Sequence, residues 1–356
     1  MEQTNCMKLL FACLLFFSPS VIFAQTKVED LVKEGVDLHD RGYYEEALLK
    51  YDSALIVEKN NYLATYEKTY TLMHLKRYND VIDLCRLLLK EHKNKKTLGE
   101  VYVVYGNALD MTGKHKEAIT VYDDGISVFP ETHMLHFNKA VTLVGLKEYD
   151  KAIHSLKQVV TIYPFHPSSH YQLANLHFYD NKVFALMADL TFLAIEAESD
   201  RSKYSLKRVK EMLTADAKKT GENSYTVNLD INQLLGNKKR KEDNFASTEM
   251  ILTLAPALNV EEKHKNETMP ERLHRNLQSV VATFKERVKN ENGFGWEFYV
   301  PFFIAMDNDK QLETLSHIIL ATEDDAANNK WLGVNKAKVD SFYKWMESYK
   351  WPRPKL

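Results

Sequence analysis

The sequence predicts an all-α chain: a solenoid of helical hairpins followed by a smaller helical C-terminal domain. Three observations carry this. Small and turn-forming residues recur at a spacing near 34 residues through the first half. Gly35 and Gly42 return 71 residues later as Gly106 and Gly113, Ala118 and Ala152 are 34 apart, and so are Pro130 and Pro164. Helix breakers are scarce, 9 Pro and 12 Gly among 356 residues, and Leu, Ala, Lys and Glu are abundant. The period stops near Gly221, and all four tryptophans, Trp296, Trp331, Trp345 and Trp351, lie beyond it. Charge is balanced, 47 Lys and Arg against 49 Asp and Glu, which argues against nucleic-acid binding driven by bulk charge. At 45% hydrophobic and 27% charged residues, the chain is neither disordered nor fibrous.

The repeat divides into units 28–61, 62–95, 99–132, 133–166 and 167–200. Each unit reads as two antiparallel helices, A then B. A small residue at unit position 8 (Gly35, Thr69, Gly106, Ala140, Ala174) lets the two helices approach, and position 20 (Ala47, Val81, Ala118, Ala152) does the same from helix B. Position 15 (Gly42, Gly113) turns the chain, where a left-handed conformation suits glycine. Large residues at position 24 (Tyr51, Cys85, Tyr122, Leu156, Leu190) are expected to fill the space between units, and Pro130 and Pro164 to end helix B. The segment Gly35…Gly42-Tyr43-Tyr44-Glu45-Glu46-Ala47…Tyr51…Ala54 resembles the tetratricopeptide repeat almost position for position. The second unit departs from the pattern at Lys68, Lys76 and Leu88. The fifth has Leu186 at position 20, and its run Phe184-Ala185-Leu186-Met187-Ala188…Phe192-Leu193 is too apolar for a helix with a wet side, so something further along the chain is expected to cover it. A capping helix from Asp200 to about Lys219 closes the array, with Tyr204, Val209, Met212 and Leu213 on one side.

The N-terminus reads as a cleavable signal peptide, residues 1–24: Lys8, the apolar stretch Leu9–Phe17, and Ala24 before the cut, with Met7 as an alternative start. A membrane anchor would need a longer run without Pro19, and a lipoprotein site at Cys13 a smaller residue than Phe11. The expected location is therefore periplasmic or at the cell surface. Cys85 alone remains after cleavage, and its place in the repeat makes it a buried filler.

From residue 221 to 356 helices are expected at 245–258, 270–290, 296–306, 309–321 and 335–349, with a turn at Asn292-Gly293-Phe294-Gly295. Lys238-Lys239-Arg240-Lys241 reads as a solvated loop, and Glu323-Asp324-Asp325 as an exposed helix end. The segments Trp296–Ile304 and Phe342–Met346 are dense in aromatics, which suits a domain core or, alternatively, a glycan or peptide pocket. Together with the signal peptide and the array, this region loosely resembles that of uncharacterised exported tetratricopeptide repeat proteins of Bacteroidota-type bacteria.

No phosphate loop, Gly-x-Ser-x-Gly, His-Glu-x-x-His or Cys-x-x-Cys is present. Thirteen histidines are scattered; His136 and His170 are 34 apart at the same unit position, which makes them scaffold residues rather than metal ligands. No catalytic residue, cofactor or metal is expected. What remains is a surface. In tetratricopeptide arrays the inner face is lined by helix A, and here it offers Val32, Tyr66, Tyr70, Asn107, Phe137, Tyr171, Asn175 and Phe178 as partner-binding residues. Position 5 carries Val32, Tyr66, Val103, Phe137 and Tyr171, not the Lys of repeats that clamp acidic C-terminal peptides. An apolar face of this kind calls for an occupant, either another protein or the chain's own C-terminal region. The expected function is an exported, non-enzymatic scaffold for protein–protein interaction; the alternative is an envelope enzyme or carbohydrate-binding protein with its site in the aromatic C-terminal domain.

Overall fold

The structure, a computed structural model, describes residues 19–214, 218–221, 224–226 and 240–356. The signal-peptide expectation falls largely outside them; residues 19–24 belong to the backbone of the first helix. No helix among the described residues is long and apolar enough to cross a membrane. The chain divides into two compact units, one up to Val128 and one from Phe129 onward.

The N-terminal unit consists of three hairpins: α1 (Pro19–Asp40) with α2 (Tyr44–Val57), α3 (Tyr62–His74) with α4 (Tyr78–Glu91), and α5 (Leu98–Met111) with α6 (His115–Val128). These follow the expected repeats closely. Gly42 and Gly113 take the left-handed conformation, at φ 82° and 79°. The next backbone N–H then reaches back to a helix carbonyl, Tyr43 to Leu38 at 2.9 Å and Lys114 to Leu109 at 3.0 Å. The second repeat makes the same turn with Lys76 at φ 57°, donating from Arg77 to Leu72 at 2.9 Å. First helices of successive hairpins touch, α1 with α3 and α3 with α5, and form a layer of their own.

The small residue at position 8 has a specific partner. A Cβ on Gly35 would lie 2.5 Å from the Tyr51 ring, and one on Gly106 would lie 2.2 Å from the Tyr122 ring. Tyr51 and Tyr122 therefore fill a notch in their own hairpin, and the Tyr51 hydroxyl also faces Thr71 of the next repeat. The other repeats hold Thr69 with Cys85, Ala140 with Leu156 and Ala174 with Leu190 at these two positions. As the first residue grows the second shrinks, as close packing at fixed helix spacing requires. Cys85 is fully buried, and burial pushes its thiol up, so it is the filler expected.

The C-terminal unit begins with two more hairpins, α7 (His133–Gly145) with α8 (Tyr149–Ile162) and α9 (Pro167–His177) with α10 (Lys182–Ile195), and then α11 (Asp200–Leu213). Lys147, at φ 61°, makes the first of these turns. The capping helix ends six residues earlier than expected. Its last carbonyl, that of Leu213, accepts from the Asn276 side chain at 2.5 Å, and Lys218–Gly221 instead forms β1, antiparallel to β2 (Ser224–Thr226). There follow α12 (Ala246–Asn259), α13 (Met269–Arg287), a π-helical turn at Gly295–Tyr299 that runs into α14 (Val300–Asn308), α15 (Leu312–Ile318), α16 (Ala326–Val334) and α17 (Lys336–Ser348). The α16 helix was not expected. Asp325, read as part of a helix end, caps its start by accepting from the N–H groups of Ala327 and Asn328.

Helix α10 organises this unit. Every residue from Val183 to Ala194 is buried. The α9 and α11 helices cover it on the repeat side, and α12, α15 and the π-helical turn cover the rest, as its apolar sequence required. One core runs from Leu156 and Leu173 through α10 to Phe302, Phe303 and Phe342. The core therefore does not divide near residue 221, where the repeat period ends.

Two outcomes follow. Gly106→Ala should destabilise by about 1–3 kcal/mol through overpacking, and adding Tyr122→Leu should recover part of the loss in a double-mutant cycle read by urea denaturation. Lys76→Gly and Lys147→Gly should each stabilise by about 0.5–1 kcal/mol, because a left-handed residue with a Cβ is strained; a rise in Tm of each variant checks this.

Candidate functional site

In the N-terminal unit the α3 helix sets the character of the helix-A face. Tyr66 and Tyr70 are one turn apart and half-buried, with hydroxyls 3.0 Å apart and ring centroids 5.1 Å apart. Tyr62 stacks on Tyr66 at 5.8 Å. Burial pushes the phenols of Tyr66 and Tyr70 up, so both stay neutral hydrogen-bonding groups at physiological pH. Leu63 is exposed beside them, and Val36 and Met73 are partly so. Asn107 accepts from the Tyr122 hydroxyl at 2.8 Å, which fixes the orientation of its amide. Val32 is buried, at 3% exposure, and lines a recess together with Glu29, Tyr62, Leu63, His92 and Lys95.

In the C-terminal unit Phe137, Tyr171 and Phe178 are half-buried on the helix-A side; Phe137 packs edge-on with His166, and α11 brings two arginines to Tyr171 and Phe178. The Tyr171 ring lies 5.7 Å from the Arg201 guanidinium and 5.6 Å from that of Arg208, which also stands 5.6 Å over Phe178. Arg201 donates twice to Glu196, at 2.7 and 2.5 Å, and once to Ser168 at 2.8 Å. Arg208 donates twice to the buried Asp189, at 2.9 and 2.5 Å, and to the Asn175 carbonyl oxygen at 2.6 Å. That oxygen of Asn175, expected to meet a partner's backbone, is thus taken by the chain itself. Sequence reasoning missed Arg201, Arg208 and Asp189. The available signal was Asp189, a lone carboxylate in an apolar helix, which requires a buried cation nearby.

The C-terminal helices approach from the other side. They pack on the outer helices α10 and α11 and on the α8 flank. There the Lys157 ammonium lies 5.2 Å from the Phe294 ring and 3.7 Å from Asp243. Gly293, at φ 114°, permits this approach, since a Cβ there would meet the Asp243 backbone at 2.5 Å. A polar cavity of about 360 Å³ lies between α8 and this segment, lined by Asp150, His154, Glu242 and Glu297 among others. Of the basic run read as a solvated loop, Arg240 is held: it donates to the Asp180 backbone at 2.7 Å and carboxylate at 3.0 Å. Lys238 and Lys239 lie outside the described residues.

The aromatic C-terminal segments form the interior of the domain. Trp296 stacks on Phe245 at 4.6 Å, Trp351 on Phe302 at 4.2 Å, and Phe298, Tyr299, Phe302, Phe303 and Phe342 are fully buried. Trp331 lies flat on His317 at 3.6 Å. Most of the rings that suggested a glycan pocket pack on one another, while Tyr343 is exposed and Trp345 half-buried.

His136 and His170 are the scaffold residues expected. Each donates Nε2–H to a proline carbonyl, Pro130 at 3.0 Å and Pro164 at 2.7 Å. His170 has a second role. Its Nδ1 accepts from the Tyr299 hydroxyl at 2.8 Å, across 129 residues, so a repeat histidine anchors the C-terminal domain. Both groups are fully buried.

Residues 135–166 match the tetratricopeptide repeat family model. These residues span most of the α7–α8 hairpin, whose left-handed turn recurs between α5 and α6 and whose proline-bound histidine recurs in α9. No curated protein matches the chain. Among solved structures, pilF of Pseudomonas aeruginosa is similar at 14% identity with TM-score 0.46, covering 68% of this chain and 97% of that one. TTC0263, a thermophilic tetratricopeptide repeat protein of Thermus thermophilus, is similar at 22% identity with TM-score 0.42, covering 51% and 98%. YrrB, described as a tetratricopeptide repeat protein with an unusual peptide-binding site, is similar at 17% identity with TM-score 0.40, covering 54% and 98%. At these values no functional statement follows.

Burial holds the imidazoles of His170 and His166 down at about 4. The unfolded chain takes up these protons near pH 6.5, before the folded one does. Stability from the neutral rings is complete above about pH 6.5 and falls as the pH drops towards 4, by about 2–3 kcal/mol, most of it from His170, because water reaches His166 and screens its charged form. Urea titrations at pH 7.5 and 4.5 should show this fall, and His170→Gln should reduce it. Tyr299→Phe should cost about 1–2 kcal/mol at pH 7.5, because Nδ1 of His170 is left buried without a donor.

Proposed function

We propose that the chain is an exported, non-enzymatic scaffold that binds another protein or a peptide segment through the helix-A face of its repeats. One observation carries this reading. Tyr66 and Tyr70, with exposed Leu63, stand at the surface of the N-terminal unit as an ordered aromatic patch, whereas the C-terminal domain spends its apolar surface on the outer helices. Large ordered apolar side chains kept at a surface mark interaction sites. Export and an envelope partner rest on Lys8, the Leu9–Phe17 stretch and Ala24. The enzyme or carbohydrate alternative has less support, because Trp296, Phe298, Tyr299, Phe302, Phe303 and Phe342 are interior to the domain, although Tyr343 is exposed.

The test is in-cell crosslinking followed by purification, comparing the native chain with a Tyr66→Ala, Tyr70→Ala variant of matched helicity. A crosslinked protein should be found with the first and reduced at least about ten-fold with the second, the loss expected when two interface aromatics are truncated. Equal crosslinking would remove this face as the binding site. For export, the mass of the purified N-terminus should place Gln25 first; a chain retaining Leu9–Phe17 would overturn cleavage.

A further inference from the structure

The helix-A face of the N-terminal unit carries charge as well as rings. Glu100 on α5 acts on the phenols of Tyr62, Tyr66 and Tyr70 alike, and Glu67 acts on Tyr70. Glu67 is half-buried on α3, and burial, together with Asp40 at the end of α1, pushes its carboxyl up. Among the described residues, neither Glu67 nor Glu100 takes part in an ion pair. Asp52 of this unit, by contrast, pairs with Lys68 at 2.5 Å, and Asp110 is hydrogen-bonded to His115 at 2.7 Å. The cation bordering the patch is Lys95, 5.0 Å from the Tyr62 ring and beyond the Tyr66–Tyr70 pair along α3. At the other end of α3, His74 is engaged with His39 and Tyr44.

Aromatic faces attract an ammonium or guanidinium through the ring quadrupole, and a carboxylate in a partly desolvated place completes the pair. Here both halves are present: Lys95 serves Tyr62, and among the described residues no cation stands over the Tyr66 or Tyr70 ring. On the adjacent α5, the Asn107 carbonyl oxygen is held by Tyr122, so its amide N–H groups are oriented to donate to a passing backbone carbonyl. We infer that this face receives a basic peptide segment, an extended stretch whose Lys or Arg side chain lies over Tyr66 and Tyr70 and pairs with Glu67 or Glu100. The inference rests on the helix-A face being the binding surface, and it adds the sign of the partner's charge. That sign is opposite to the one read by repeats that clamp acidic peptides with lysines. The chain's own net charge of −2 is too small to collect basic peptides non-specifically.

The probes are three fluorescein-labelled nonapeptide pools with every second position fixed as Arg, Gln or Glu, titrated by anisotropy against the full chain at low and moderate salt. The Arg pool should bind at least about ten-fold more tightly than the Gln pool, and the Glu pool should not bind. Glu67→Gln with Glu100→Gln should weaken the Arg pool about ten-fold and flatten its salt dependence. Glu45→Gln with Glu46→Gln, exposed on the outer α2 helix, should leave it unchanged. Circular dichroism checks that each variant keeps its helicity. Equal binding of the Arg and Glu pools, no binding of any pool, or an Arg pool indifferent to the Glu67 and Glu100 changes overturns the inference. If the Gln pool binds and Tyr66→Ala alone abolishes it, the helix-A face stands and only the charge assignment falls. If Tyr66→Ala and Tyr70→Ala leave every pool unaffected, both fall.

Discussion

From Val183 to Ala194 the α10 helix presents no side that water can touch, and the one charge on it, Asp189, must be met inside the protein. Much of the C-terminal unit answers that constraint. The α9 and α11 helices take the repeat-facing sides, and helices from the last third of the chain take the remainder. Asp189 is met by Arg208, which in turn fixes Asn175 and lies over Tyr171 and Phe178. A carboxylate and a guanidinium inside an apolar core repay their desolvation only with good geometry and further hydrogen bonds, and the twofold Arg208–Asp189 contact with Asn175 has both. The same guanidinium that neutralises the core thereby closes the helix-A face at this end.

The two compact units consequently use one repeat in two ways. In the N-terminal unit the outer helices keep a wet side, with Leu49 and Ile56 of α2 exposed, and the inner helices keep an ordered patch at Tyr66 and Tyr70. In the C-terminal unit the repeat is a platform for a second layer of helices, anchored where Tyr299 gives its hydroxyl proton to His170. His136 and His170 make the same bond to a preceding proline carbonyl. Only His170 is given a partner on its other ring nitrogen by the C-terminal domain, so a feature that serves the hairpin is reused to hold that domain.

Much of the fold was legible because it depends on neighbours in the chain. Turns at Gly42 and Gly113 need a left-handed residue, and the notches at Gly35 and Gly106 need the absence of a Cβ. These requirements recur every 34 residues and so stand out. Lys76 and Lys147 adopt the same left-handed turn without glycine, and there the period, not the residue type, carried the information. Beyond residue 221 the helices were legible by apolar spacing, but the α11 terminus and α16 were not. A side chain 63 residues away, Asn276, takes the carbonyl that ends α11, and no local pattern announces that.

The candidate site was legible in part for the same reason. Helical periodicity placed Tyr66, Tyr70, Phe137, Tyr171 and Phe178 on helix A, and the helices put them there. Which of these remain available was a tertiary decision. Val32 is buried at the floor of a recess beside Tyr62 and Leu63, and the Asn175 oxygen and the Tyr171 ring were met by arginines from α11. The sequence by itself determined the repeat, its turns, its notches and the need to cover α10, because steric limits and apolar periodicity act over a few residues. Only the tertiary structure decided which face the C-terminal domain covers and which aromatics stay exposed. Those outcomes depend on where buried charges and carbonyls find partners dozens of residues away.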